Sequence, residues 1–158
     1  MTSDPNACGI HSDIRFAVQA NAVDAHLFDV ELHIAQPAAQ QLLSLPVWIP
    51  GSYLVREFSK NLQALKATQN GQPVAVQQLS KNQWKIDCNA DSACVISYQV
   101  CAYDTSVRTA WLDRRRGFFN GTSLCLRVHG QEDQPHTLDL QPGAATPGWQ
   151  VATGLTAV

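Results

Sequence analysis

The chain has 158 residues, of which 45% are apolar and only 15% charged, with a net charge of −2. This composition excludes general disorder, and the balance of charge excludes a basic nucleic-acid binder. The length suits one domain, able to bury roughly 70% of the surface its unfolded chain would expose.

The start, from Met1 to Arg15, is polar and has neither a basic n-region nor an apolar h-region, so it does not read as a signal peptide. No apolar run approaches the roughly 18 residues a membrane helix needs. The next stretches alternate with period two. Ile14, Phe16, Val18 and Ala20 interleave with Asp13, Arg15, Ala17 and Gln19. Phe28, Val30, Leu32 and Ile34 interleave with Asp29, Glu31 and His33. Each run predicts a strand with one buried and one wet face, and Asn21 to Ala25 predicts the hairpin connection.

Leu45 to Tyr53 reads Leu-Pro-Val-Trp-Ile-Pro-Gly-Ser-Tyr. Two prolines bracket Val-Trp-Ile, which excludes an ordinary central strand. Pro50-Gly51 suits the middle of a type II turn, with the aromatic side chains pinned beside a rigid corner. Ser52 to Leu62 carries the best helical signal: Leu54, Val55, Phe58 and Leu62 on one face, Ser52 as cap, one or two turns at most.

Gln63 to Gln69 leads into Asn70-Gly71, the pair best suited to a tight hairpin turn, with Val74 to Leu79 as the return strand. Gln83 to Cys88 follows, then a turn at Asn89 to Ser92. Ala93 to Tyr103 predicts a long strand with Cys94, Ile96, Tyr98, Val100 and Ala102 on one side. Arg116 to Ser123 sets two glycines around Phe118, Phe119 and Asn120, a loop able to present Asn120 and Thr122 as hydrogen-bond partners. Leu124, Leu126 and Val128 alternate again, and the tail from Gln141 is rich in Gly, Pro, Ala and Thr. The fold class predicted is all-β: a curved, saddle-like sheet or a sandwich of antiparallel sheets.

Little in the sequence signals chemistry. The histidines are His11, His26, His33, His129 and His136, and none are spaced four apart as a helix-borne zinc site requires. His129 and His136 flank a turn that could bring them together, although paired strand ends alone make no metal site. No G-x-S-x-G elbow and no phosphate-cradling loop occurs. The five cysteines, Cys8, Cys88, Cys94, Cys101 and Cys125, contain no C-x-x-C and read as buried, reduced thiols of a cytoplasmic protein. Arg114-Arg115-Arg116 reads as a solvated loop. No catalytic residue and no metal ligand is assigned.

Three stretches together resemble one family. Leu45 to Leu62, Val100 to Asp113 and Arg116 to Leu124 are similar to the N-terminal part of the glycyl aminopeptidase family, metallopeptidase family sixty-one. Trp149 to Leu155 resembles that family's approach to its catalytic domain. The resemblance implies that residues 1–158 form a single N-terminal β domain that stops short of a catalytic metallopeptidase domain and a PDZ domain. It implies zinc as the cofactor of the parent enzyme, held outside this stretch, and no cofactor here. By analogy with related aminopeptidases, Phe119, Asn120, Gly121 and Thr122 would face the substrate's amino-terminal residue, Asn120 accepting from its ammonium and Phe119 walling a small pocket. Trp48, Pro50, Gly51 and Tyr53 would shape the domain or its seam with the catalytic domain. The partners implied are that catalytic domain and a peptide N-terminus, with no nucleic acid and no membrane. A free-standing β-sandwich binding module for peptide or carbohydrate, and a structural or adaptor domain, stand as alternatives.

Overall fold

The computed structural model describes residues 13–158. Cys8, His11 and most of the polar start lie outside the described residues. Twelve strands follow in chain order: β1 (Ile14–Ala22), β2 (Leu27–Ile34), β3 (Gln40–Ser44), β4 (Leu62–Gln69), β5 (Gln72–Val74), β6 (Val76–Ser80), β7 (Gln83–Asp87), β8 (Cys94–Cys101), β9 (Ala110–Leu112), β10 (Gly117–Phe119), β11 (Arg127–Val128) and β12 (His136–Gln141). One helical turn, α1 (Gly121–Leu124), is the α-helix among the described residues. No helix there is long and apolar enough to cross a membrane.

The strands form a six-stranded sheet in the order β12-β1-β2-β8-β4-β5, a four-stranded sheet β11-β3-β7-β6, and a small β9-β10 pair. The fold is all-β, and the two larger sheets share one core. Ile14, Phe16, Val18, Phe28, Val30, Leu32 and Ile34 enter it from one sheet, and Leu43, Trp84, Ile86 and Val128 from the other. All five inward residues of the 94–102 run are buried. Each large apolar side chain removed from water in this way contributes about 1.5–3 kcal/mol of transfer free energy.

Turn chemistry sets the connections. Asn70 and Gly71 both have positive φ, 50° and 76°, as a type I′ turn between β4 and β5 requires. The β1–β2 connection is a 3-10 turn over Val23–Ala25, closed by His26 in the left-handed region. The return strand expected over Val74 to Leu79 is divided. Its first part, β5, pairs with β4 in the large sheet, while β6 pairs with β7 in the other. The chain thus crosses between sheets at Ala75, which still accepts a hydrogen bond from Asp87.

Between Ser52 and Leu62 there is a single 3-10 turn, Phe58–Asn61. Ser52 does not cap it, because its hydroxyl is engaged upstream, accepting from Leu54 N and Arg56 Nε and donating to Leu54 O. Nor do Leu54 and Val55 share a buried face with Phe58: Phe58 enters the core while both of them face solvent.

Four strands, β3, β9, β10 and β12, have no counterpart in the sequence reading, and β10 lies where a loop was expected. β12 lies parallel to β1 at the edge of the large sheet, in register from Ile14 with His136 to Gln19 with Gln141. The chain then turns back across β1. Gly143 presses against the end of that strand, where a β-carbon would stand 2.1 Å from Ala20 O.

Candidate functional site

The corner at Leu45–Tyr53 is built by local chemistry. Gly51 has φ 81°, and Ser52 N donates to Ile49 O at 3.1 Å, closing a type II turn with Pro50 and Gly51 in its middle. Trp48 Nε1 donates to Ser52 O at 2.7 Å. Arg56 N donates to Val47 O at 2.6 Å. The loop therefore satisfies its own polar groups. Its apolar side chains face outward: Trp48 is 51% exposed, Leu54 and Val55 more so, and Tyr53 fully.

The second segment begins with the β9–β10 pair. Asp113 closes its turn by accepting from the amides of Arg115 and Arg116 at 2.7 and 2.9 Å and from Trp111 Nε1 at 3.0 Å. The Arg115 amide first, then the Arg116 amide and the indole, hold its carboxyl below the ordinary aspartate range. In the arginine run, Arg114 pairs with Asp24 at the surface.

Phe119 is half-buried and meets Phe28 edge to face at 5.5 Å. Asn120 is the N-cap of α1. Its Oδ1 accepts from Thr122 N at 3.1 Å and from Thr122 Oγ1 at 2.8 Å. A carboxamide oxygen has two lone pairs, and both are used here. This pairing also fixes which atom is oxygen, since a backbone N–H must meet an acceptor. The group that Asn120 leaves uncommitted is the Nδ2 donor pair. A substrate ammonium reaching this oxygen would share it with Thr122.

A third loop joins the two segments. Arg108 Nη2 donates to Gly51 O at 3.3 Å, and Asn120 N donates to Thr109 O at 2.9 Å. The loop from Asp104 to Thr109 is itself shaped by Asp104 Oδ1 accepting from Ser106 N and by Thr109 Oγ1 donating to Ser106 O. Its base rests on an aromatic cluster, with Tyr103 and Trp111 stacked at 5.1 Å and His26 4.4 Å from Tyr103. His26 Nδ1 donates to Leu112 O. The structure thus brings the Trp48 corner, the 104–109 loop and the 119–122 turn together. Arg108 and Thr109 carry no role in the sequence reading. Their only signal was position inside the second family-like stretch.

Behind α1, Tyr98 Oη donates to Leu124 O at 2.6 Å from inside the core, where burial raises the phenol well above its ordinary range. A cavity of about 430 Å³ opens beside α1 between Lys60, Asn61, Tyr103, Asp104, Trp111 and Ser123. A larger groove of about 560 Å³, mostly apolar, runs between Phe118–Gly121 and the tail at Trp149–Thr153.

The two histidines flanking the 130–135 turn have separate partners: His129 Nε2 bonds with Ser44 Oγ, while His136 Nδ1 bonds with Gln134 O and stacks near Phe16. No group of three or more His, Cys, Asp or Glu residues converges among the described residues. Burial pushes the Cys94 and Cys125 thiols up to about 12, the reverse of what a nucleophilic thiolate needs.

The model of the family described as "Peptidase M61 N-terminal domain" matches residues 15–158. Among solved structures, the crystal structure of an aminopeptidase N family protein from Idiomarina loihiensis is similar, with 47% sequence identity and a TM-score of 0.86. The alignment covers 89% of this chain and 24% of that one, so the chain spans about a quarter of the solved relative. A comparison with curated proteins finds no match. With nearly its whole length matched by the family model, the chain belongs to the peptidase M61 N-terminal domain family.

Proposed function

We propose that this domain is the non-catalytic N-terminal part of a zinc-dependent aminopeptidase, where it packs on the catalytic domain and lines one wall of the substrate cleft. The observation that carries this reading is the convergence of the three family-like stretches through Arg108–Gly51 and Asn120–Thr109. Scattered in sequence, they meet at one place on a rigid β scaffold, the usual setting for a binding loop.

The residues have distinct roles in this reading. Trp48, Pro50, Gly51 and Tyr53 form a stiff apolar corner at the seam between domains. Phe119, Asn120, Gly121 and Thr122 form the substrate-facing turn. Asn120 Nδ2 offers its free donors to a carbonyl oxygen of the bound peptide, and Phe119 bounds the space beside it. Thr122 holds the Asn120 oxygen so that those donors point one way. In this reading the zinc belongs to another part of the parent, and no chemical step is assigned to this domain. The reading extends to a PDZ domain elsewhere in the parent and to a cytoplasmic location.

The experiment is Asn120→Ala in the full-length enzyme, with kinetics on glycyl and alanyl substrates. A rise in KM on both is expected, by about fivefold to tenfold for one lost hydrogen bond. Unchanged kinetics on both would remove the assignment.

A further inference from the structure

The groove beside the 119–122 turn has the tail as its other wall, and the contact between the two is unusually close. At Gly117, a β-carbon would stand 3.0 Å from Trp149 Cζ3, 3.2 Å from Phe28 Cζ and 3.3 Å from Leu112 Cδ1. The glycine lets the indole lie directly against the β10 backbone. Phe28 touches this point and also meets Phe119 edge to face. Trp149, Gly117, Phe28 and Phe119 therefore form one packed series that ends at Asn120.

The indole is itself held from the far side. Gly143 sits against the end of β1, so close that no side chain fits. Thr146 is buried beside it. Its hydroxyl accepts from Gly143 N at 2.9 Å and donates to Gly143 O at 3.2 Å. Thr146 O then accepts from Trp149 N at 3.4 Å, and Gly148, with φ 81°, turns the chain so that the indole points inward. Residues 142–149 are thus a short strap with two anchors, one on β1 and one under β10.

We propose that Trp149 is a positioning residue for the Gly117–Thr122 segment: the strap fixes where β10 lies, and β10 fixes where Asn120 presents its amide. The kinetic half of this proposal rests on the reading that the 119–122 turn faces substrate. The structural half does not.

The structural half is tested by amide hydrogen exchange on the 158-residue chain. The amides of Asn120, Thr122 and Ser123 are hydrogen-bonded and report on the turn. In Trp149→Ala they exchange faster by about tenfold or more, while those of β2 and β8 stay within about threefold of the parent chain. Trp149→Phe restores most of the protection. Should Trp149→Ala fail to fold, Gly117→Ala displaces the indole from the other side and gives the same selective acceleration. Unchanged exchange at the three amides, or uniform acceleration throughout the chain, overturns the proposal.

The kinetic half is tested in the full-length enzyme. Trp149→Ala raises KM by about fivefold with kcat retained, and Trp149→Phe recovers it. Equal loss of kcat in both variants, or no change in either, overturns this half. If Asn120→Ala is kinetically silent while Trp149→Ala still loosens the turn, the positioning role stands and the substrate-facing reading falls.

Discussion

Replacing Gly143 with alanine tests the strap at its tightest point. The added β-carbon would lie 2.1 Å from Ala20 O, 2.7 Å from Ala20 C and 2.9 Å from Asn21 Cα. Carbon and oxygen approach no closer than about 3.3 Å even in favourable contacts, so the strap must retreat by about 1 Å. All three obstructing atoms are backbone at the end of β1, and none can rotate away. Overpacking of this kind costs about 1–3 kcal/mol. Retreat also weakens the buried Thr146–Gly143 hydrogen bonds, adding about 1 kcal/mol. The sum is about 2–4 kcal/mol. In a domain of this size each kcal/mol moves the melting midpoint by about 2–4 °C, so a fall of roughly 4–16 °C is expected. Thermal and urea unfolding followed by far-UV circular dichroism measure it. Gly154→Ala is the control, since nothing lies within 4 Å of its β-carbon position. A Gly143→Ala midpoint as close to the parent as that of Gly154→Ala would refute the reasoning.

Tyr98→Phe leaves Leu124 O without its buried donor and should cost about 1–2 kcal/mol in urea unfolding, with faster exchange in α1. Cys94, fully buried with its thiol pushed up to about 12, should resist iodoacetamide at pH 8 in the native chain and react once unfolded; native labelling at Cys94 would contradict its burial. Asp113 has a folded pKa below its ordinary 3.8, so its contribution to the β9–β10 turn is complete above that value and is lost as pH falls through the lower one. Protection factors at the Arg115 and Arg116 amides, corrected for the intrinsic pH dependence of exchange, should fall under those acidic conditions, and Asp113→Asn should abolish that pH dependence. Tyr53→Ala should leave the 158-residue chain's melting midpoint within about 1 °C, because the side chain is fully exposed, yet lower that of the full-length enzyme if the corner is a domain seam.

The structure follows the sequence where alternation is long or a turn type is dictated by φ. β1, β2, β7 and β8 alternate over enough residues for the buried face to be read directly, and Asn70-Gly71 and Pro50-Gly51 demand their turn types by φ alone. β12 was invisible for a physical reason. It is a half-exposed edge strand with only Leu138 and Leu140 to pattern it, and its partner lies more than 100 residues earlier in the chain. The division of β5 from β6 was hidden because period-two alternation does not say which sheet a residue joins. The expected helical face at Leu54 and Val55 is absent because apolar spacing alone does not dictate burial, and the Ser52 hydrogen bonds turn these side chains outward. The 119–122 turn could be recognised as a loop with an amide, but Asn120's use as a cap depends on a backbone geometry that the residue types only permit.

The two halves of the candidate site are built alike and offer opposite chemistry. In the corner, Trp48 donates to Ser52, Ser52 engages Leu54 and Arg56, and Arg56 reaches back to Val47. Polar groups are satisfied inside the loop, and water meets Trp48, Tyr53, Leu54 and Val55 instead. Such a loop gains from a partner that stays, because each apolar side chain covered contributes about 1–3 kcal/mol and no internal bond has to break. The 119–122 turn also satisfies its acceptor internally, through Thr122, but leaves the Asn120 donors outside. A free amide exchanges water for a carbonyl at small net cost, which suits a partner that comes and goes. Arg108 and Thr109 hold the two within one framework. On the proposed reading, a lasting contact at the corner would therefore set the position of the turn that meets a transient partner.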